Sequence, residues 1–117
     1  MNLKDAIDAH SKWKVRLRMF LSGTGEKLDP AVVERDNQCD LGKWIHGEGA
    51  RHGASADYQK LRTEHALFHR CAAKVVRTAM AGKKAEAGAM LTEAGEFTQT
   101  SQKTVIAIQA LARSSAA

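Results

Sequence analysis

With 117 residues, 44% of them hydrophobic and 26% charged, the chain is long enough to bury one core and too short for two; a single domain over residues 1–117, with its core between about 3 and 112, is expected. The net charge of +5 raises the question of a nucleic-acid surface, but the densest basic run, Lys12-Trp13-Lys14-Val15-Arg16-Leu17-Arg18, puts its cations on the helix positions an apolar stripe leaves over, so no nucleic-acid partner is expected. No stretch approaches a transmembrane length, and Asp5 and Asp8 stand where a secretory leader needs an apolar segment; no membrane contact is expected, and the two cysteines are expected as free thiols in the cytoplasm.

Leu3, Ala6, His10, Trp13, Leu17 and Phe20 step by three and four, the stripe of an amphipathic helix from about Leu3 to Leu21. Gly23-Thr24-Gly25 ends it. Asp29-Pro30 then reads as an N-cap with proline at the first helical position, opening a short helix through about Arg35. From Asn37 to Ser55 the glycines 42, 47, 49 and 53 predict a loop with at most one short helical turn near Cys39 to Ile45.

Ser55, with Asp57 behind it, predicts the start of a second long helix that ends at Gly82 and carries the stripe Tyr58, Leu61, His65, Phe68, Ala72, Val75 and Ala79. A third long helix is expected almost at once, with Ala87, Met90, Leu91, Ala94, Phe97, Ser101, Val105, Ile108 and Leu111 on one side and Gly88 and Gly95 on a flank suited to close helix approach. Residues 112–117 are expected to fray. The sum is an all-α, antiparallel, four-helix-bundle-like domain with three long helices and a short helix bearing Cys39.

The chemistry concentrates on His65-Ala-Leu-Phe-His69, because two imidazoles four residues apart project from one helix face and supply two adjacent positions of a tetrahedral metal site. His10, in the first helix's stripe, and Cys39, in Cys39-Asp40-Leu41-Gly42-Lys43-Trp44, are the candidates for the other two. Three imidazoles and a thiolate suit zinc and do not suit magnesium or calcium. Each residue also has a plainer reading, the histidines as core residues bonded to carbonyls and Cys39 as a small buried hydrophobe. A di-iron bundle would need bridging carboxylates on the same faces, and Glu64, Glu93 and Glu96 lie off them. His46 and His52 are expected exposed in the glycine-rich loop, and Cys71 is expected to be an inert packing thiol. Trp13, Trp44 and Phe68 are the candidates to pack around the site, although a plain core role is the first reading of the two tryptophans.

His10 with Trp13 and Lys14, then Cys39-Asp40-Leu41-Gly42-Lys43-Trp44, then His65 with Phe68-His69 resembles the chemoreceptor zinc-binding domain family, over about Leu3 to Val76. The resemblance implies a zinc-binding sensory domain with ligands His10, Cys39, His65 and His69, commonly a homodimer. It also implies control of bacterial chemotaxis receptors or of cyclic-di-GMP synthesis in response to zinc or to oxidants such as hypochlorous acid. A fused receptor or cyclase output is usual in such proteins and is not found in this sequence, so the expectation is either a stand-alone module that acts on a signalling partner or a piece of a longer receptor.

Four protein ligands leave no open position for a metal-bound water, so a non-catalytic regulatory site is expected, with Cys39 as the redox switch. Two rivals stand beside it: a small zinc hydrolase with His10, His65 and His69 as ligands and Glu64 as base, and a metal-free helical interaction module. Self-association is expected on the ground that the third helix's stripe reaches Leu111, past what one facing helix covers.

Overall fold

The computed structural model describes residues 3–115, and all the regular structure among them is helical. The elements are α1 (Leu3–Ser11), α2 (Trp13–Ser22), α3 (Pro30–Val33), α4 (Asp40–His46), a 3₁₀ turn (Glu48–His52), α5 (Ala56–Met80), α6 (Lys84–Met90) and α7 (Glu96–Ser115). The architecture is the expected helical bundle. α5 runs through its centre against α2, α3, α6 and α7, while α1 packs on α7 and α4. α5 and α7 are antiparallel: Phe68 meets Phe97, and Thr104 donates to the backbone oxygen of Glu64, so positions rise on one helix as they fall on the other.

The first helix is interrupted at Lys12 where one unbroken helix was expected. Lys12 keeps helical backbone bonds to Asp8 and Arg16, but His10 Nδ1 and Ser11 Oγ draw on the carbonyls of Ala6 and Ile7 one turn back, a competition that loosens a helix. Asp29 caps α3 as expected, its carboxylate accepting from Ala31 N at 2.9 Å, although the helix ends at Val33 rather than Arg35. Ser55 caps α5, and Gly82, at φ +84°, turns the chain beyond its end.

Two expectations fail outright. The segment 37–55 holds more helix than one turn, because Cys39 caps α4 and Gly49 lets the 3₁₀ turn press on the indole of Trp44, where a β-carbon would stand 2.7 Å from the ring. The third helix is also not continuous. It breaks between Met90 and Glu96, where Thr92 Oγ1 takes the Ala89 carbonyl and Gly95 folds so close that a β-carbon there would lie 2.3 Å from Met90 O. The break lets Leu91 and Phe97 enter one core cluster, leaves Ala94 exposed, and gives Gly88 and Gly95 no part in helix approach. α7 stays helical to Ser115 where fraying from Ala112 was expected; Ala116 and Ala117 lie outside the described residues.

The core has two apolar halves. Trp13, Leu17, Val33, Phe68, Val75, Leu91 and Phe97 build one, and Ala6, Leu41, Ile45, Tyr58, Leu61, Ile108 and Leu111 build the other. Ile108 and Leu111 are thus buried within the chain, which removes the uncovered stripe from which self-association was argued. Along the first helix His10 falls between Ala6 and Trp13, and along α5 His65 falls between Leu61 and Phe68, so the histidines stand where the halves meet.

Candidate metal centre

His10, His65 and His69 are buried as part of the core, and Cys39 is half-buried at the edge of the same space. α1 delivers His10, successive turns of α5 deliver His65 and His69, and the N-cap of α4 delivers Cys39. His65 Nε2 lies 3.1 Å from both His10 Nε2 and His69 Nε2. Cys39 Sγ lies 3.3 Å from His65 Nε2, 3.6 Å from His69 Nε2 and 4.0 Å from His10 Nε2. Among the described residues this is the one group of three or more potential ligands whose donor atoms converge, all within 4.8 Å of one another.

The remaining ring nitrogens decide what those atoms can do. His10 Nδ1 stands 2.7 Å from Ala6 O and His69 Nδ1 stands 2.9 Å from Val33 O; a carbonyl only accepts, so both Nδ1 atoms carry the proton and both Nε2 lone pairs point into the cluster. Burial holds all three imidazoles below their usual pKa, with His65 pushed down to about 2 by burial and by its two histidine neighbours. Neutral rings with bare nitrogens facing one point are crowded acceptors that a cation satisfies. His65 Nδ1 is buried without a partner among the described residues.

The group fits zinc. Metal–nitrogen bonds of about 2.0–2.1 Å and metal–sulfur bonds of about 2.3 Å in a tetrahedron put donor atoms roughly 3.3–3.6 Å apart, and the spacings above bracket that range. The thiol of Cys39 is pushed up by burial, so in the absence of a cation it is held protonated.

A family model described as the chemoreceptor zinc-binding domain matches residues 10–76. No curated protein and no solved structure matches the chain. The chain belongs to the chemoreceptor zinc-binding domain family. Zinc is therefore its cofactor, and the family is defined by binding a metal in a sensory setting, not by a reaction.

Within this family member the motif residues have physical work to do. Gly42 is required because a β-carbon there would lie 1.8 Å from Asp36 O, so only glycine lets the first turn of α4 press on the preceding loop. That contact brings Gly42 N to 3.3 Å from Cys39 Sγ, a hydrogen bond that caps α4 and aims the sulfur. Leu41 is buried in the second core half, with half-buried Trp44 packed against it. Phe68 meets His10 edge-on at 5.0 Å, and Trp13 meets His69 edge-on at 6.2 Å, so both pack against rings of the converging histidine group.

The other candidates lie elsewhere. His46 is exposed and pairs with Asp36 at 3.4 Å, while His52 is half-buried against the Trp44 ring rather than exposed. Cys71 is buried on another face of α5 with its thiol pushed up by burial, as an inert packing residue requires. Glu64, the base of the hydrolase reading, lines an outer groove with Lys60, Lys103 and Ile106, away from the ligand cluster. Among the described residues no helix is long and apolar enough to cross a membrane. Sequence reasoning missed the Val33 carbonyl and Asp36, since a backbone oxygen and a loop acid carry no residue-type signal.

Proposed function

We propose that the chain acts as one regulatory domain in which His10, Cys39, His65 and His69 bind a single zinc ion and Cys39 is the responsive ligand. The observation that carries this is the convergence of three Nε2 atoms and one Sγ, with the outer nitrogens of His10 and His69 tied to carbonyls. Bound zinc supplies the positive charge that keeps Cys39 as a thiolate.

The chain's residues do the rest. His10 is fixed by its own helix, and His69 by the segment leading to Cys39. Half-buried Cys39 lines two solvent-reaching clefts and caps α4, which is only seven residues long. Attack of that sulfur on the chlorine of hypochlorous acid, followed by hydrolysis, leaves a sulfenic acid and chloride; sulfur is oxidised by two electrons and chlorine reduced by two. A sulfenic acid is a poor zinc ligand and a poor acceptor for Gly42 N, so α4 loses both its anchor and its cap, and Trp44 moves with it. The changed surface is the signal to a chemotaxis or cyclic-di-GMP partner in the cytoplasm. Self-association belongs to the same reading, supported by family membership and by exposed Val15, Met19 and Ile106.

Metal content of the purified chain is expected at one zinc per chain, reduced in Cys39→Ala. Mild hypochlorous acid is expected to modify Cys39 before Cys71 and to change tryptophan fluorescence, with Cys39→Ser blunting the change. Oxidation of Cys71 first, with Cys39 intact, removes the redox half of the reading and leaves a zinc-responsive domain. Sedimentation of the zinc form as a monomer at micromolar concentration removes the dimer.

A further inference from the structure

Two clefts reach the ligand cluster from solvent, and both touch Cys39. The first, of about 390 Å³, runs past α2 and α3 to Cys39 and His69, and is edged by Arg16, Lys27 and Arg35 against Glu26 and Asp29. The second, of about 340 Å³, runs past α1 and α4 to Cys39 and His10, and is edged by Asp5 and Asp40 against Arg16. The two mouths therefore differ in sign, three cations facing two acids in one and two acids facing one cation in the other.

Trp13, Arg16, Gln38 and Cys39 line both clefts, which places Arg16 on the divide between the two mouths that lead to Cys39. Its guanidinium is held in place, 3.8 Å from the centre of the Trp13 ring, with Nε donating to Glu26 at 2.6 Å. Trp13 in turn rests on the edge of His69. Asp29, the other acid of the basic mouth, spends its carboxylate on the α3 cap.

We propose that the mouth framed by Arg16, Lys27 and Arg35 admits anionic electrophiles to the Cys39 sulfur, and that Arg16 sets the preference for an anion over a neutral reagent of the same size. The proposal rests on the reading of Cys39 as a reactive zinc-bound thiolate and names the class of reagent that site takes. Cations beside a reacting thiolate offset its charge and raise the local concentration of anions, an effect that salt screens. Arg16 is partly exposed and paired, so a several-fold effect is expected.

Iodoacetate and iodoacetamide test this on the zinc-loaded full chain. In both, sulfur bonds to the methylene carbon as the carbon–iodine bond breaks and iodide leaves with the electron pair; the transferred groups differ in a carboxylate against a carboxamide. Peptide mass spectrometry gives the alkylation rate at Cys39 for each, with zinc content measured alongside. Arg16→Ala is expected to lower the iodoacetate-to-iodoacetamide rate ratio about threefold or more, and Glu26→Gln, which unmasks Arg16, to raise it. Asp5→Asn, on the other mouth, is expected to move it far less, and about 0.5 M salt to shrink every difference. An unchanged ratio in both Arg16→Ala and Glu26→Gln overturns the proposal, as does an Asp5→Asn effect as large as that of Arg16→Ala. If neither reagent modifies Cys39 in the unaltered zinc form, the reactive-thiolate reading falls and takes the proposal with it, an outcome read from the rates and not from their ratio.

Discussion

The two sides of the metal centre are built on different principles. His10, His65 and His69 stand on α1 and the 25-residue α5, buried among apolar core residues. Cys39 sits half-buried at the start of seven-residue α4, aimed by one backbone contact at Gly42 and one cap hydrogen bond. Side chains on a packed bundle are organised by folding itself, whereas a short segment is organised by the few contacts it makes. The difference teaches where a metal adds most to order: the histidine wall needs little help, and the Cys39 segment needs most of it. Each of the following changes bears on one side or the other.

The largest effect is expected at the wall. A structural zinc site contributes roughly 10–16 kcal/mol through four ligands, so losing one costs about 3–4 kcal/mol, on the order of a 10²- to 10³-fold loss of affinity. His65→Ala should show this in chelator competition while its helices persist by circular dichroism. Zinc lost instead by a His46→Ala, His52→Ala double variant and kept by His10→Ala would break the comparison at its root.

On the other side Gly42→Ala is the sharpest probe. The added methyl meets Asp36 O far inside contact distance, and the backbone must give way, an overpacking penalty of about 1–3 kcal/mol. Denaturant melts should show most of that loss in the zinc form, because a displaced α4 withdraws the sulfur from the histidines. Equal loss with and without chelator would mean that α4 is held by its apolar contacts and that the sulfur contributes nothing to its seating.

This asymmetry also governed what could be read from the sequence. Helical spacing fixes which residues share a face, so the stripe through His10 and the pair His65 and His69 were legible, as were the caps Asp29 and Ser55. The turn at residues 91–95 was not, because Ala94 and Phe97 continue a three-and-four rhythm that hides the fold-back at Gly95. The glycines of 42–53 read as a flexible loop, yet Gly42 and Gly49 are close-packing positions. Loose and tight glycines look alike in sequence, since what separates them is the neighbour and not the residue. Cys39 was found by residue type and motif; the contact that aims it was invisible for the same reason.

Acid should act on the wall. Burial lowers the pKa of all three histidines in the fold below 6.5, their value in an unfolded chain, so the unfolded state takes up protons first as pH falls. Stability of the chelator-treated form is therefore level just above pH 6.5 and declines below it, toward the value of about 2 at His65. A histidine that stays neutral costs about 1.4 kcal/mol for each pH unit well below 6.5, with a smaller cost near that value. Denaturant melts at pH 7.5 and 5.5 should differ by on the order of 1 kcal/mol or more, and curves that coincide would mean that these imidazoles are not shielded from water.

The smallest change tests how the Cys39 segment is clasped. Asp36 contributes its backbone oxygen to the Gly42 contact and its carboxylate to His46 at the far end of α4, so one residue touches both ends of the short helix. The side-chain pair is solvent-accessible and 3.4 Å apart, which limits it to about 0–1 kcal/mol. Asp36→Asn keeps the backbone contact and removes the carboxylate that pairs with His46 and also favours the charged form of His69, so zinc affinity and melting should shift by no more than about 1 kcal/mol. The rate at which chelator strips the metal should rise more than the equilibrium affinity falls, because a loosened α4 opens more often while its seated state keeps the same ligands. His46→Gln should reproduce that pattern, and combining it with Asp36→Asn should add little, as expected for two ends of one interaction. Fully additive effects would show that the two residues act separately and that α4 is held by Gly42 and the cap alone.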